Sequence, residues 1–94
     1  MKKYQELTKE IEDKFPNRWD EQTRLLHLFE EAGELSDILA MYLKKKKGET
    51  SKEKIQAEMC GILFDLLTLA NMLDIDLEVA YNKELENFKK YINL

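Results

Sequence analysis

Acidic residues on two helical stretches are the part of this sequence that could perform chemistry. Glu30, Glu31 and Glu34 lie in FEEAGEL, whereas Glu58 and Asp65 lie two helical turns apart in AEMCGILFDLL. Residues three or four apart share a helix face, so the acidic residues of each segment can point the same way. Facing carboxylates are costly to desolvate unless a cation lies between them, and Mg2+ prefers carboxylate oxygens. The sequence therefore predicts a helical scaffold for a magnesium site, and Mg2+ suggests phosphate chemistry.

Each of these side chains also has a simpler interpretation. Helices carry many glutamates on solvated faces, which would account for Glu30, Glu31 and Glu34. Asp65 lies mid-helix among apolar neighbours, where a lone charge would be costly, so it either contributes to the metal site or pairs with a lysine or arginine. His27 is interpreted as a packed or hydrogen-bonded residue in preference to a metal ligand.

Four helices must position these residues. The apolar spacing predicts them over about residues 2–14, 20–46, 51–73 and 76–92. Thr50 or Ser51 is expected to cap the third helix, Asp76 to cap the fourth and Gly48 to end the second. The third helix is apolar nearly all round from Met59 on, which is typical of a central, buried helix. The predicted fold is an all-α four-helix bundle in one domain, residues 1–94.

Apolar stripes predict which helix faces point inward. They consist of Tyr4, Leu7 and Ile11 with Phe15 in the first helix, of Leu25, Leu28, Phe29, Ala32, Leu35, Leu39 and Tyr42 in the second, and of Leu77, Ala80, Tyr81, Leu85, Phe88 and Ile92 in the fourth. A chain this short buries a limited core. We therefore expect a homo-oligomer, a dimer or tetramer, whose interface buries residues of the second or third helix.

Composition argues against several classes of partner. The net charge of −4 disfavours broad binding to nucleic acid or an anionic membrane, and the basic run 44–47 is explained by the dipole at a helix end. The single cysteine, Cys60, permits no intramolecular disulfide. The N-terminal segment lacks the apolar region of a secretory signal, and the apolar stretch 59–73 is expected to be too short for a bilayer. These features predict a cytoplasmic protein with no nucleic-acid or membrane partner.

The fourth helix adds a cationic stripe. Lys83, Asn87 and Lys90 fall on one face, with Tyr91 beside them. Next to carboxylate-bound Mg2+, such a stripe would hold a polyphosphate. The alternative is a solvated surface with local ion pairs, for example between Lys83 and Glu86.

These segments resemble a known family. FEEAGEL resembles the Glu-Glu-x-x-Glu motif of MazG-like nucleoside triphosphate pyrophosphohydrolases, in the all-α NTP pyrophosphatase superfamily. The stretch AEMCGILFDLLTLANMLDIDLEVAYNKELEN is similar to the second motif helix, the turn that ends it and the following helix with its Lys and Asn. The resemblance covers about residues 19–91. It implies hydrolysis of a nucleoside triphosphate to its monophosphate and pyrophosphate, as house-cleaning of non-canonical or excess nucleotides.

The resemblance also implies roles for individual residues. Mg2+, with Mn2+ as an alternative, would be bound by Glu31, Glu34 and Glu58, and Glu30 would activate water beside them. The substrate would contact Lys83 and Asn87, with Lys90 and Tyr91 on the same surface.

One position departs from the family pattern. The second motif is expected to read Glu-x-x-Asp, but here Gly61 follows Glu58. Asp65 supplies the missing oxygen, or the site is weaker, or catalysis is lost and nucleotide binding remains. A catalytically impaired nucleotide-binding homologue and a helical interaction module without ligand are therefore the competing functions.

Overall fold

The computed structural model describes all 94 residues as four α-helices without strands. They are α1 (Lys2–Glu12), α2 (Glu21–Tyr42), α3 (Lys52–Met72) and α4 (Leu77–Tyr91). The predicted all-α class is confirmed. α3 packs against both α1 and α2, whereas α4 has no extended packing partner within the chain.

Side-chain caps begin the three longer helices. Asp20, Ser51 and Asp76 each accept a hydrogen bond from the backbone N–H three residues further on. Each bond satisfies one of the N–H groups that have no partner within the first helical turn. The predicted caps of α3 and α4 are confirmed, with Ser51 rather than Thr50 capping α3.

The end of α2 differs from its prediction. The helix ends at Tyr42 rather than near residue 46, and Gly48 does not terminate it. Lys44 takes the left-handed conformation (φ 61°), its N–H donates to the Met41 carbonyl, and the Lys45 N–H donates 2.8 Å to the Ala40 carbonyl. This Schellman arrangement satisfies the last carbonyls of the helix without glycine. The left-handed residue costs about 1 kcal/mol, which the sequence pattern did not anticipate for a lysine.

The buried core of the single chain is small. Its only buried apolar residues are Ile55, Leu67 and Ala70, all on α3. The face of α1 that meets α3 is polar, with Gln5, Thr8 and Glu12 buried. The predicted inward stripe of α1 is therefore wrong for this chain, since Tyr4, Leu7, Ile11 and Phe15 are exposed.

Gln5 fastens α1 to the turn between α3 and α4. Its side-chain amide donates 3.1 Å to Asn71 Oδ1 and 2.8 Å to the Ile75 carbonyl, and its Oε1 accepts from the Leu77 N–H at 2.9 Å. The Asn71 amide donates back to the Gln5 carbonyl at 2.9 Å. These bonds satisfy buried polar groups that would otherwise be costly to desolvate.

The apolar stripe of α4 does not point into the chain either. No residue of α4 is buried, and Phe88 is 57% exposed. On α2, Leu25, Phe29, Leu39 and Tyr42 of the predicted inward stripe are also exposed. The accessible surface is 7551 Å², against about 5,700 Å² for a compact monomer of this mass. Periodicity identified the apolar faces correctly but did not reveal that the chain leaves them uncovered.

The apolar character of α3 has a second consequence. Lys52–Met72 is long and apolar enough to cross a membrane by length and composition alone, although residues 59–73 were expected to be too short. This is weak evidence, because a core helix of a soluble protein passes the same test. Here α3 packs between two other helices and carries the buried Asp65.

Candidate metal centre

The centre lies between α2 and α3, which run in opposite directions. Arg24, near the start of α2, contacts Asp65 in the second half of α3. Further along α2, Glu31 lies against Gly61, which is one turn earlier on α3. This register brings the acidic residues of the two segments to one stretch of the interface.

Three glutamates converge there. Carboxylate oxygens of Glu31, Glu34 and Glu58 all lie within 4.8 Å of one another. Glu31 and Glu58 are half-buried, and Glu58 Oε2 is buried without a hydrogen-bond partner. A buried carboxylate oxygen normally has a partner, and hard divalent cations favour such oxygens. The donor set and the orphaned oxygen therefore fit a divalent cation.

Crowding of the carboxylates alters their protonation. The pKa of Glu58 is raised above its ordinary value of 4.5, chiefly by the neighbouring Glu31 carboxyl group and then by burial, while Glu34 acts in the opposite direction. Like charges at this distance disfavour simultaneous ionisation. A cation between them would relieve the repulsion.

A dependence of stability on pH follows from Glu58. Because its pKa is higher in the folded state, the metal-free protein should lose stability as the pH rises from about 4.5 through the raised pKa, with no such loss below the unfolded-state pKa. Mg2+ should restore this stability, and its affinity should rise over the same window because it competes with the proton. Thermal melts between about pH 4 and about pH 7, in EDTA and in Mg2+, would measure both effects.

The control for this dependence is Glu58→Gln, which keeps the shape of the side chain and cannot ionise. The difference between wild type and variant isolates Glu58 from the other carboxylates. Identical pH profiles for the two proteins in EDTA would contradict the assignment.

Asp65 lies outside the three-glutamate cluster. It is 1% exposed; its Oδ1 accepts a hydrogen bond from Arg24 Nη1 at 2.9 Å, and its Oδ2 lies 2.8 Å from His27 Nδ1. This geometry matches the predicted alternative of a buried ion pair, while a role as metal ligand stays a prediction. Arg24 was missed as the partner, although it shares the helical stripe of His27 and Glu31 and lies one turn before His27.

Gly61 provides room for Glu31. A Cβ atom placed at position 61 would lie 2.8 Å from Glu31 Oε2. The Glu31 carboxylate therefore rests against bare backbone, where the resemblance places an aspartate side chain. Any substitution at this position must displace the end of the Glu31 side chain.

The remaining predicted site residues are exposed. Glu30 lies on α2 next to the cluster, whereas Lys83, Asn87, Lys90 and Tyr91 lie on α4. Asn87 Nδ2 donates 3.2 Å to Glu84 Oε1, and Glu86 pairs with Lys89 rather than Lys83. Since α4 does not pack along α2, the single chain does not assemble these side chains with the glutamates, and their roles stay predictions.

Comparison with known proteins decides the family. Residues 19–93 match the family model of the MazG nucleotide pyrophosphohydrolase domain. The chain belongs to this family. The match extends over α2, α3 and α4 and includes both acidic segments, so the MazG resemblance is confirmed.

Among curated proteins, the MazG domain is similar to the uncharacterized protein YpjD of Bacillus subtilis (strain 168). The two are 39% identical over 66 residues, which cover 68% of this chain and 60% of YpjD. The chain thus spans less than two thirds of that relative. No solved structure was found to match the chain.

Proposed function

We propose that this protein hydrolyses nucleoside triphosphates to monophosphates and pyrophosphate with Mg2+, or alternatively Mn2+, as cofactor. Membership of the MazG family supports the reaction class. The observation that carries the choice of cofactor is the cluster of Glu31, Glu34 and Glu58, with its orphaned Glu58 oxygen. Removal of non-canonical or excess nucleotides in the cytoplasm is the physiological role we infer.

Different residues would have different roles in the proposed reaction. The three glutamates would hold the cation, which when bound neutralises phosphate charge and lowers the pKa of water. Glu30 would accept the proton of the attacking water, because it is exposed and directly precedes the clustered Glu31 on α2. Lys83 and Asn87 would orient phosphate oxygens through hydrogen bonds, those from the lysine being charge-assisted.

Pyrophosphate release from a panel of NTPs and dNTPs tests this proposal. Release is expected with Mg2+ or Mn2+ and should disappear with EDTA. Nucleotide binding without release would instead support a catalytically impaired homologue, which Gly61 in place of a ligand makes the second candidate. Failure to bind either metal or nucleotide would favour an interaction module.

We also propose that a second copy of the chain covers the exposed apolar faces. The radius of gyration is 16.0 Å, compared with about 12 Å for a compact domain of this length. The apolar residues exposed on α2, α3 and α4 include Phe29, Met59 and Phe88, each more than half exposed. In a dimer or tetramer, α4 of one copy would also be available to the metal centre of another.

A charged residue placed in the apolar face of α4 should dissociate the proposed oligomer. Wild type is expected to elute as a dimer or tetramer at micromolar concentration, and Phe88→Glu should shift it towards monomer and lower its melting temperature, because a charge cannot be buried cheaply. Multi-angle light scattering measures the mass. Gln22→Glu, which adds the same charge at an exposed polar position, should leave the mass unchanged. A monomeric wild type would refute the oligomer.

A further inference from the structure

A continuous set of contacts joins a buried ion pair to the metal centre. Arg24 Nη1 donates 2.9 Å to Asp65 Oδ1, and His27 Nδ1 lies 2.8 Å from Asp65 Oδ2. On the other edge of the imidazole, His27 Nε2 lies 3.3 Å from Glu31 Oε1. The set therefore begins in the interior and ends on one of the three clustered glutamates.

The His27 ring is fixed in orientation. Asp65 is paired with Arg24 as a carboxylate, and a carboxylate only accepts hydrogen bonds, so Nδ1 of His27 carries a proton. Trp19 packs against the ring with centroids 4.9 Å apart, and the Arg24 guanidinium lies 4.6 Å from the Trp19 ring centroid. The ring is thus held by a hydrogen bond at one edge and by an aromatic neighbour, and its Nε2, 3.3 Å from Glu31 Oε1, holds that carboxylate as the donor of a second ring proton.

Glu31 needs such support because its other side is open. Its Oε2 rests against Gly61, which has no side chain to hold it. A glutamate in a helix has three rotatable side-chain bonds, and ordering it for a ligand loses conformational entropy. Contacts made before the ligand arrives reduce that loss.

We propose that His27 is a positioning residue for Glu31 and that Asp65, neutralised by Arg24, acts on the metal centre only through His27. This inference rests on the proposed metal site. It assigns Asp65 a role different from that of a direct ligand, and it assigns Arg24 and His27 a role beyond packing. Outer contacts of this kind typically change metal affinity by roughly 10-fold to 100-fold.

Two substitutions at position 27 separate positioning from packing. His27→Asn places an amide near the Nδ1 position, where it keeps the contact with Asp65 but cannot reach Glu31. His27→Gln extends an amide towards the Nε2 position and can still contact Glu31. Calorimetric titration with Mn2+ alone should show the affinity falling about tenfold in His27→Asn and substantially less in His27→Gln. Equal affinities in both variants and wild type would overturn the proposal.

A double-mutant cycle tests the path from Asp65. Asp65→Asn should weaken Mn2+ binding in the wild-type background but add nothing in the His27→Asn background, because the intermediary is already lost. If Asp65 were a direct ligand, its loss would weaken binding equally in both backgrounds, and the proposal would be overturned. Glu10→Gln, an exposed charge change on α1, should leave the affinity unchanged.

Stability and metal binding are measured separately. Denaturant unfolding in EDTA measures how much each side chain contributes to the stability of the metal-free protein. The proposed positioning of Glu31 predicts a change in metal affinity and does not require a change in this stability. If Asp65→Asn fails to fold with Arg24 left unpaired, the two variants at position 27 decide the question, since both retain Asp65. If wild type binds no Mn2+, the metal site itself fails; if wild type binds and the variants match it, only this inference fails.

Discussion

Replacement of Glu34 by Gln is expected to abolish both the Mg2+-dependent rise in melting temperature and the release of pyrophosphate. Glu34 is one of three glutamates whose carboxylate oxygens converge at the centre, and Gly61 supplies no side-chain ligand, so the loss of this carboxylate leaves two glutamates to hold the cation. A cation that binds only the folded state at about 100 times its Kd stabilises by about 2.7 kcal/mol, which corresponds to a rise in melting temperature of about 11–22 °C for a domain of this size. Glu34→Gln should lose that shift.

Differential scanning fluorimetry with and without Mg2+ measures the shift, and pyrophosphate release measures the activity. Glu10→Gln removes a negative charge far from the centre and should retain both. A full Mg2+-dependent shift in Glu34→Gln would remove this residue from the metal site.

Gly61→Asp is expected to tighten Mg2+ binding and accelerate hydrolysis while destabilising the metal-free protein. The new carboxylate lies one turn after Glu58 on the same face of α3, which adds oxygen ligands to the cluster. Without metal, a fourth carboxylate increases the repulsion that already raises the pKa of Glu58. The structure adds a requirement, since Glu31 Oε2 lies 2.8 Å from the new Cβ and must move.

Gly61→Asn is the matched control, because it has nearly the same shape and demands the same movement of Glu31 without the added charge. Titration with Mg2+ and melts in EDTA should separate the two variants. Weaker Mg2+ binding in Gly61→Asp than in wild type would show that displacing Glu31 outweighs the added ligand.

The shared face of Glu31 and Glu34 could be predicted because helical spacing fixes which side chains point the same way, whereas the addition of Glu58 to them was implied by the MazG resemblance. The partner of Asp65 could not be identified in the same way. Burial cost required a compensating charge, but several basic residues were available, and only the register of α2 against α3 selects Arg24. Helix faces follow from local spacing, whereas pairings depend on how two helices slide and rotate against each other.

The exposed apolar faces illustrate the same difference between local spacing and the packing of helices. Leu85 and Phe88 were correctly recognised as part of an apolar stripe on α4, but both are exposed in the single chain. On α1 the pattern was misleading, since the polar residues Gln5 and Thr8 face α3. An apolar pattern specifies a surface to be buried, and it does not distinguish burial within the chain from burial against another copy.

The Gln5 amide has a consequence for quaternary geometry. By bonding to Asn71, to the Ile75 carbonyl and to the first N–H of α4, it ties the direction in which α4 leaves the body to the position of α1. Hydrogen bonds are directional, so this tie fixes an angle, which apolar contact alone would leave adjustable. In the proposed oligomer, the angle at which α4 meets a second copy would thus depend in part on a side chain that belongs to neither the metal centre nor the exposed apolar face.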